Sequence, residues 1–118
     1  MPRGLCDCAR NDRQWLELIQ AGVVWPMADG RVLRGERELR GYRDREGYRF
    51  IGIRLRGRRL AISLGRLVWM ACHGVVVPVG HDIHHVDGDI ANNVVWNLEP
   101  RLPSEHRCNS TSFGALDF

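Results

Sequence analysis

From Ile83 to Cys108 the chain reads IHHVDGDIANNVVWNLEPRLPSEHRC, and these 26 residues hold a histidine doublet (His84, His85), an Asp-Gly step, three asparagines and a closing His106. Neutral imidazole accepts a proton at physiological pH and also binds borderline metals. Neighbours on a strand point to opposite sides, so one histidine of the doublet can face a metal while the other faces water. A base for water, a cation against developing charge and a rigid frame are what phosphodiester hydrolysis requires. Asp87-Gly88 signals a turn directly after the doublet, with the turn the favoured role for Asp87 over catalysis. Asn92 and Asn93 read as loop-formers tolerant of positive φ, with Asp87 and Asn93 in supporting positions at the site. Val94–Trp96 reads as a short return strand, and Pro103 suits the first residue of a helix that carries His106. Strand, loop, strand and helix at this length make a metal-holding unit and not a whole fold.

Something must bring a phosphate to that unit, and the arginines supply a reason. All 17 basic residues are arginine; twelve lie between Arg31 and Arg66 against four acids, so that stretch carries +8 and the remainder −5 of the net +3. A basic middle beside a more acidic remainder suits a polyanion approached from one side. A genome rich in G and C accounts for the lack of lysine but not for the clustering.

The elements that position the unit follow from periodicity. Residues 1–11 show no pattern and read as loose. Asp12 to Ala21 reads as a helix with Trp15, Leu18 and Ile19 on one face, Asn11 or Asp12 as its cap and Gly22 as its stop. Val23–Trp25 reads as a strand, and Asp29-Gly30 as a turn into Arg31–Leu33. Arg34–Arg45 is loop or exposed edge strand. Tyr48–Leu55 alternates, with Ile51, Ile53 and Leu55 on one face; a second run places Leu60, Ile62 and Leu64 together. This hairpin carries Arg54, Arg56, Arg58 and Arg59 at its tip, and four arginines there favour phosphate contact over a merely solvated tip. Leu64, Leu67, Val68 and Ala71 have helical spacing, so a core helix runs to His73-Gly74, with His73 structural at its end. Val75–Val79 is an extended connector, and Trp69 and Trp96 read as core.

The segment resembles the HNH endonuclease motif of phage and intron-encoded enzymes, the ββα-metal nucleases. The matching residues are His84-His85-Val86-Asp87-Gly88, Asn92-Asn93, Asn97-Leu98-Glu99 and Ser104-Glu105-His106, with Gly65-Arg66-Leu67-Val68-Trp69 resembling the preceding helix. The likeness covers residues 47–107 and leaves the first 46 outside. It implies an α+β fold of small antiparallel hairpins and helices ending in a ββα-metal motif. It divides the chain into an N-terminal helix-and-hairpin appendage, 1–46, and a nuclease domain, 47–118. It implies His85 as the general base, His84 and His106 as ligands of one divalent metal, and Asn97 as a brace across the loop. The spacings are twelve residues from His85 to Asn97 and nine from Asn97 to His106. Where many relatives use Asp or Asn as ligands this chain has histidine twice, which favours Mn²⁺, Ni²⁺, Co²⁺ or Zn²⁺ over hard Mg²⁺, with Mn²⁺ expected to serve best. Double-stranded DNA is the implied partner, nicked one strand per site by a monomer or a weak dimer.

Other readings fit less well. A DNA-binding module that has lost turnover would not need His85, Asn97 and His106 together. Cys6, Cys8, Cys72 and Cys108 form no C-x-x-C pair, so a zinc knuckle lacks its thiolates; they read as reduced thiols, Cys72 buried, although a structural metal on Cys6, Cys8 and Cys108 stays open. Asp87-Gly88-Asp89 lacks the acid spacing of a calcium loop. No apolar run spans a bilayer and the N-terminus has no apolar h-region, so a cytoplasmic location, bacterial or phage-encoded, is the expectation.

Overall fold

The computed structural model describes residues 7–102, with side chains from Arg10 onward. Helix α1 spans Asp7–Gln20 and buries Trp15, with Leu18 and Ile19 packed beside it, the face expected from spacing. The helix begins earlier than the sequence suggests. Asn11 and Asp12 are therefore not caps but interior residues whose side chains bond to distant parts of the chain. At its end Val23 N donates to Leu18 O at 2.9 Å and Gly22 N to Ile19 O at 3.1 Å, closing the last turn.

Two small antiparallel sheets follow. Strands β1 (Trp25–Pro26), β2 (Val32–Arg34) and β3 (Arg37–Leu39) form one; β4 (Tyr42–Arg43), β5 (Arg49–Leu55) and β6 (Arg58–Ser63) form the other. The expected strand at 23–25 is shorter than periodicity implies, and Trp25 stands exposed because Val24 and Pro26 take the inward positions. Strands β5 and β6 pair Ile51 with Ile62 and Ile53 with Leu60, all buried, so one face of the hairpin is core. Arg56 and Gly57 form a two-residue turn with φ of 53° and 79°, the mirror-image geometry that suits the twist of a tight hairpin.

Helix α2 (Leu64–His73) lies at the centre. It buries Leu64, Gly65, Leu67, Val68, Trp69 and Met70, and ends at Gly74, whose N–H donates to Met70 O at 2.7 Å. His73 stacks on Trp69 with centroids 4.2 Å apart, which is the structural role expected of it. Cys72, expected to be buried, is exposed, because α2 turns its apolar stripe elsewhere. Strand β7 (Asp82–His85) and strand β8 (Leu98–Arg101) form a two-stranded sheet against α2, joined through a single 3-10 turn at Val95–Asn97. That turn replaces the return strand expected at 94–96. It also turns Trp96 out to 78% exposure, against the expectation that it is core.

One apolar cluster unites Trp15, Val24 and Val32 with Ile51, Leu67, Met70, Val77 and Leu98. Residues on both sides of position 46 thus share a core. No helix among the described residues is long and apolar enough to cross a membrane.

Candidate active site

The hairpin made by β7 and β8 packs closely on α2 because Gly65 has no side chain. A Cβ there would meet Asn93 Oδ1 at 3.3 Å, Ile83 Cγ2 at 3.5 Å and Leu98 Cδ2 at 3.5 Å. A glycine in the first turn of a helix is a poor helix former, and its presence marks this close approach.

His85 ends β7 and is only 7% exposed. Its Nε2 lies 2.9 Å from Asn93 Oδ1, a buried contact. Since the amide oxygen can only accept, the histidine donates through Nε2 and keeps Nδ1 as its proton acceptor. Asn93 is itself 7% exposed and lies in the loop between the strands without positive φ, so it holds the ring as well as shaping the loop. Tyr48 lies across the imidazole, ring centroids 6.1 Å apart and tilted by 50°. His85 and Asn93 line a cleft of about 380 Å³ together with Tyr48, Arg49, Asp12 and Arg66.

Asn97 braces the loop between the strands. Its Oδ1 accepts from Asp87 N at 3.0 Å, while its Nδ2 donates to Asp87 Oδ1 at 3.0 Å and to Asn92 O at 2.9 Å. Asp87 further accepts from Asn92 Nδ2 at 2.9 Å and from Asp89 N at 2.8 Å. These bonds, that from Asn92 foremost, hold its carboxyl below the ordinary 3.8. Asp87 therefore organises the turn.

His84 is half-buried and points to the face opposite His85, which it shares with Asp82 and, across the ladder, Glu99. His106, its expected co-ligand, lies outside the described residues, as do Pro103, Glu105 and three of the four cysteine side chains. Among the described residues no three of His, Cys, Asp or Glu group closely enough to hold a metal. An imidazole at His84 supplies one donor suited to a borderline divalent ion.

Arg54, Arg56, Arg58 and Arg59 are exposed at the β5–β6 tip. Arg54 pairs directly across from Arg59, and the same like-charge pairing recurs at Arg43 with Arg49 and Arg34 with Arg37. Like charges directly opposite are destabilising unless a counter-charge arrives. Arg59 rests over the Tyr42 ring at 5.7 Å; Arg54, Arg56 and Arg58 pair with no carboxylate among the described residues.

Sequence reasoning passed over the Asp12–Arg66 pair, where Nη2 lies 2.6 Å from Oδ2, and the acceptor role of Asn93. The glycine before Arg66 is the one local signal that a neighbour comes close there.

Against known proteins, residues 64–107 match the family described as HNH endonuclease. A search of curated proteins gave no match. Among solved structures the chain is similar to one described as "DNA binding and cleavage by the HNH homing endonuclease I-HmuI", at 26% identity and a TM-score of 0.61. The similarity covers 77% of this chain and 53% of that one, so the chain spans about half the length of that structure. The fold expected from the resemblance, α+β with small antiparallel sheets, is the fold found. Residues 64–107 thus match the HNH endonuclease family, and the fold around them is similar to that of an HNH homing endonuclease.

Proposed function

We propose that this chain is a divalent-metal-dependent DNA endonuclease that hydrolyses phosphodiester bonds, one strand per encounter. The observation that carries the reading is the His85–Asn93 contact at 2.9 Å, within the segment that matches the HNH family. It is the arrangement a general base needs: one ring nitrogen held by an acceptor, the other left to take a proton.

His85 takes the proton of the attacking water at Nδ1, while Asn93 holds the ring through Nε2–H and stabilises the imidazolium that results. Asn97 and Asp87 keep the β7–β8 turn in one conformation, so the base does not drift between encounters. One divalent metal ion would be held by His84 and His106, and when bound it would supply positive charge to the phosphoryl and leaving oxygens. Products of this chemistry carry 5′-phosphate and 3′-hydroxyl ends. The exposed arginines at the β5–β6 tip, with Arg54 facing Arg59 across the ladder, suit the backbone of double-stranded DNA. The related structure's title speaks of DNA binding and cleavage by a homing endonuclease, which agrees with a DNA substrate here. One such site cuts one strand, so a monomer nicks, and a double-strand break needs a weak dimer or a second encounter.

The test is His85→Ala on supercoiled plasmid. Nicking is expected to fall by a factor of roughly 10² to 10⁴, the usual worth of a general base, while DNA binding and metal uptake persist. A variant that nicks at the parent rate ends this reading and leaves a DNA-binding module. Run across divalent ions, the same assay is expected to show Mn²⁺ ahead of Mg²⁺. Strong activity in Mg²⁺ with none in Mn²⁺ would remove the two-imidazole ligand set.

A further inference from the structure

Helix α1 lies outside the segment that matches the family, yet its side chains reach the support of the catalytic strand. Asn11 Nδ2 donates to Ala61 O at 2.8 Å, tying α1 to β6. Asp12, 1% exposed, receives Arg66 in a two-point fork, Nε to Oδ1 at 3.1 Å and Nη2 to Oδ2 at 2.6 Å. The same guanidinium donates through Nη1 to His81 O at 3.0 Å and lies 3.8 Å from Asp82 Oδ1. His81 and Asp82 lead directly into His84 and His85. A guanidinium is planar and rigid, so once Asp12 fixes two of its donors the direction of Nη1 is fixed as well. One side chain in the first turn of α2 thus joins the N-terminal helix to the start of β7. Arg66 and Asp12 also line the cleft that His85 and Asn93 enter.

A largely buried ion pair is often matched or surpassed in stability by apolar residues of similar volume, so replacing both ions separates geometry from stability.

We propose that Asp12 and Arg66 are positioning residues for the catalytic strand: together they hold the entry to β7 in place against α2, and so place His84 and His85. A residue outside the family segment, Asp12, would then set turnover within it. For its activity arm the proposal rests on the nuclease reading; its structural arm does not.

The experiment uses the full chain with the pair variant Asp12→Leu/Arg66→Met, which replaces the ions by apolar groups, and with Arg66→Lys, which keeps one charged donor. Two quantities are read: amide hydrogen exchange at Ile83–His85 relative to α2, and single-turnover nicking at saturating DNA beside DNA affinity. In the pair variant, exchange at Ile83–His85 is expected to rise about tenfold or more while α2 keeps its protection. Nicking should fall roughly 10- to 100-fold with DNA affinity within about twofold, the usual cost of losing support behind a functional group. Arg66→Lys should recover part of the rate. A folded pair variant with parental exchange and parental nicking overturns the proposal. Faster exchange at β7 in a chain whose parent does not nick in any divalent ion leaves the positioning intact and rejects the nuclease reading instead. Should the pair variant fail to fold, Asp12→Asn, which keeps shape and one acceptor, carries the same comparison.

Discussion

Two hairpins of this molecule treat their polar groups in opposite ways. In the β7–β8 hairpin, Asn93 serves His85, and Asn97 and Asp87 share bonds with each other and with Asn92. In the β5–β6 hairpin the inner face is Ile51, Ile53, Leu60 and Ile62, while the tip sets Arg54 against Arg59 with no carboxylate beside Arg54, Arg56 or Arg58 among the described residues. The first is an internally satisfied network, which rigidifies because each member has its partner. The second keeps its charge for something else. Preorganisation is what a catalytic group requires, and unneutralised charge is what a polyanion site requires. On the proposed function the two hairpins divide turnover from capture, and substitutions in each should separate the two.

The largest effect is expected inside the network. Asn97→Ala removes a side chain that makes three hydrogen bonds and leaves Asp87 N–H and Asn92 O without it. Loss of about 2–4 kcal/mol of stability is expected from chemical denaturation, at about 1–3 kcal/mol for a buried group left unpaired. Asn93→Leu is the sharper cut, since it fills the same space but offers His85 no acceptor. Single-turnover nicking should fall roughly 10- to 100-fold with DNA affinity unchanged. If affinity falls instead and the saturated rate holds, the division between the hairpins fails at its catalytic half.

The arginine hairpin should respond in the reverse sense. Arg56→Ala/Arg58→Ala is expected to weaken DNA binding and to reduce the salt slope by about 2, close to one for each phosphate that is no longer neutralised, with nicking at saturating DNA little altered. Arg54→Thr relieves the charge facing Arg59 and should raise stability by about 0.2–1 kcal/mol while weakening binding. An arginine whose removal costs stability and leaves the salt slope unchanged belongs to the fold and not to the DNA track.

What was legible in the sequence follows the same division. The alternation of Ile51, Ile53 and Leu55 and the spacing of Leu64, Leu67 and Val68 gave β5 and α2, because local periodicity records which face is buried. The long-range partners left no such record. Asp12 has the residue type of a helix cap, and nothing local says that Arg66, far along the chain, takes it into the interior. Asn93 has the type of a turn residue; its work as an acceptor depends on Gly65, where a Cβ would come within 3.3 Å of its Oδ1. Trp96 and Cys72 have core types but sit where a 3-10 turn and a helix flank face outward. Residue type alone misplaces such positions, since burial is set by the neighbours that the fold supplies.

The smallest effect isolates the turn from the base that it supports. Asp87 has its carboxyl lowered below the ordinary 3.8 by hydrogen bonds from Asn92, from the Asp89 backbone and from Asn97, with a smaller attraction to His85. A lowered folded-state value means that the carboxylate contributes its stability above the unfolded value and loses it as pH falls through the folded value. The turn should therefore hold from neutral pH down through the ordinary carboxylate range and loosen only below it. The measurement is the exchange or chemical shift of the Asp87 and Asp89 amides during an acid titration, compared with amides of β5. Asp87→Asn, which offers one acceptor oxygen where the carboxylate offers two, should show no such step. A turn that loosens at the same pH in parent and Asp87→Asn would locate the acid sensitivity elsewhere. A β5–β6 hairpin that loosens together with the turn would mean that the two hairpins yield as one unit, and that the separation between them belongs to function and not to stability.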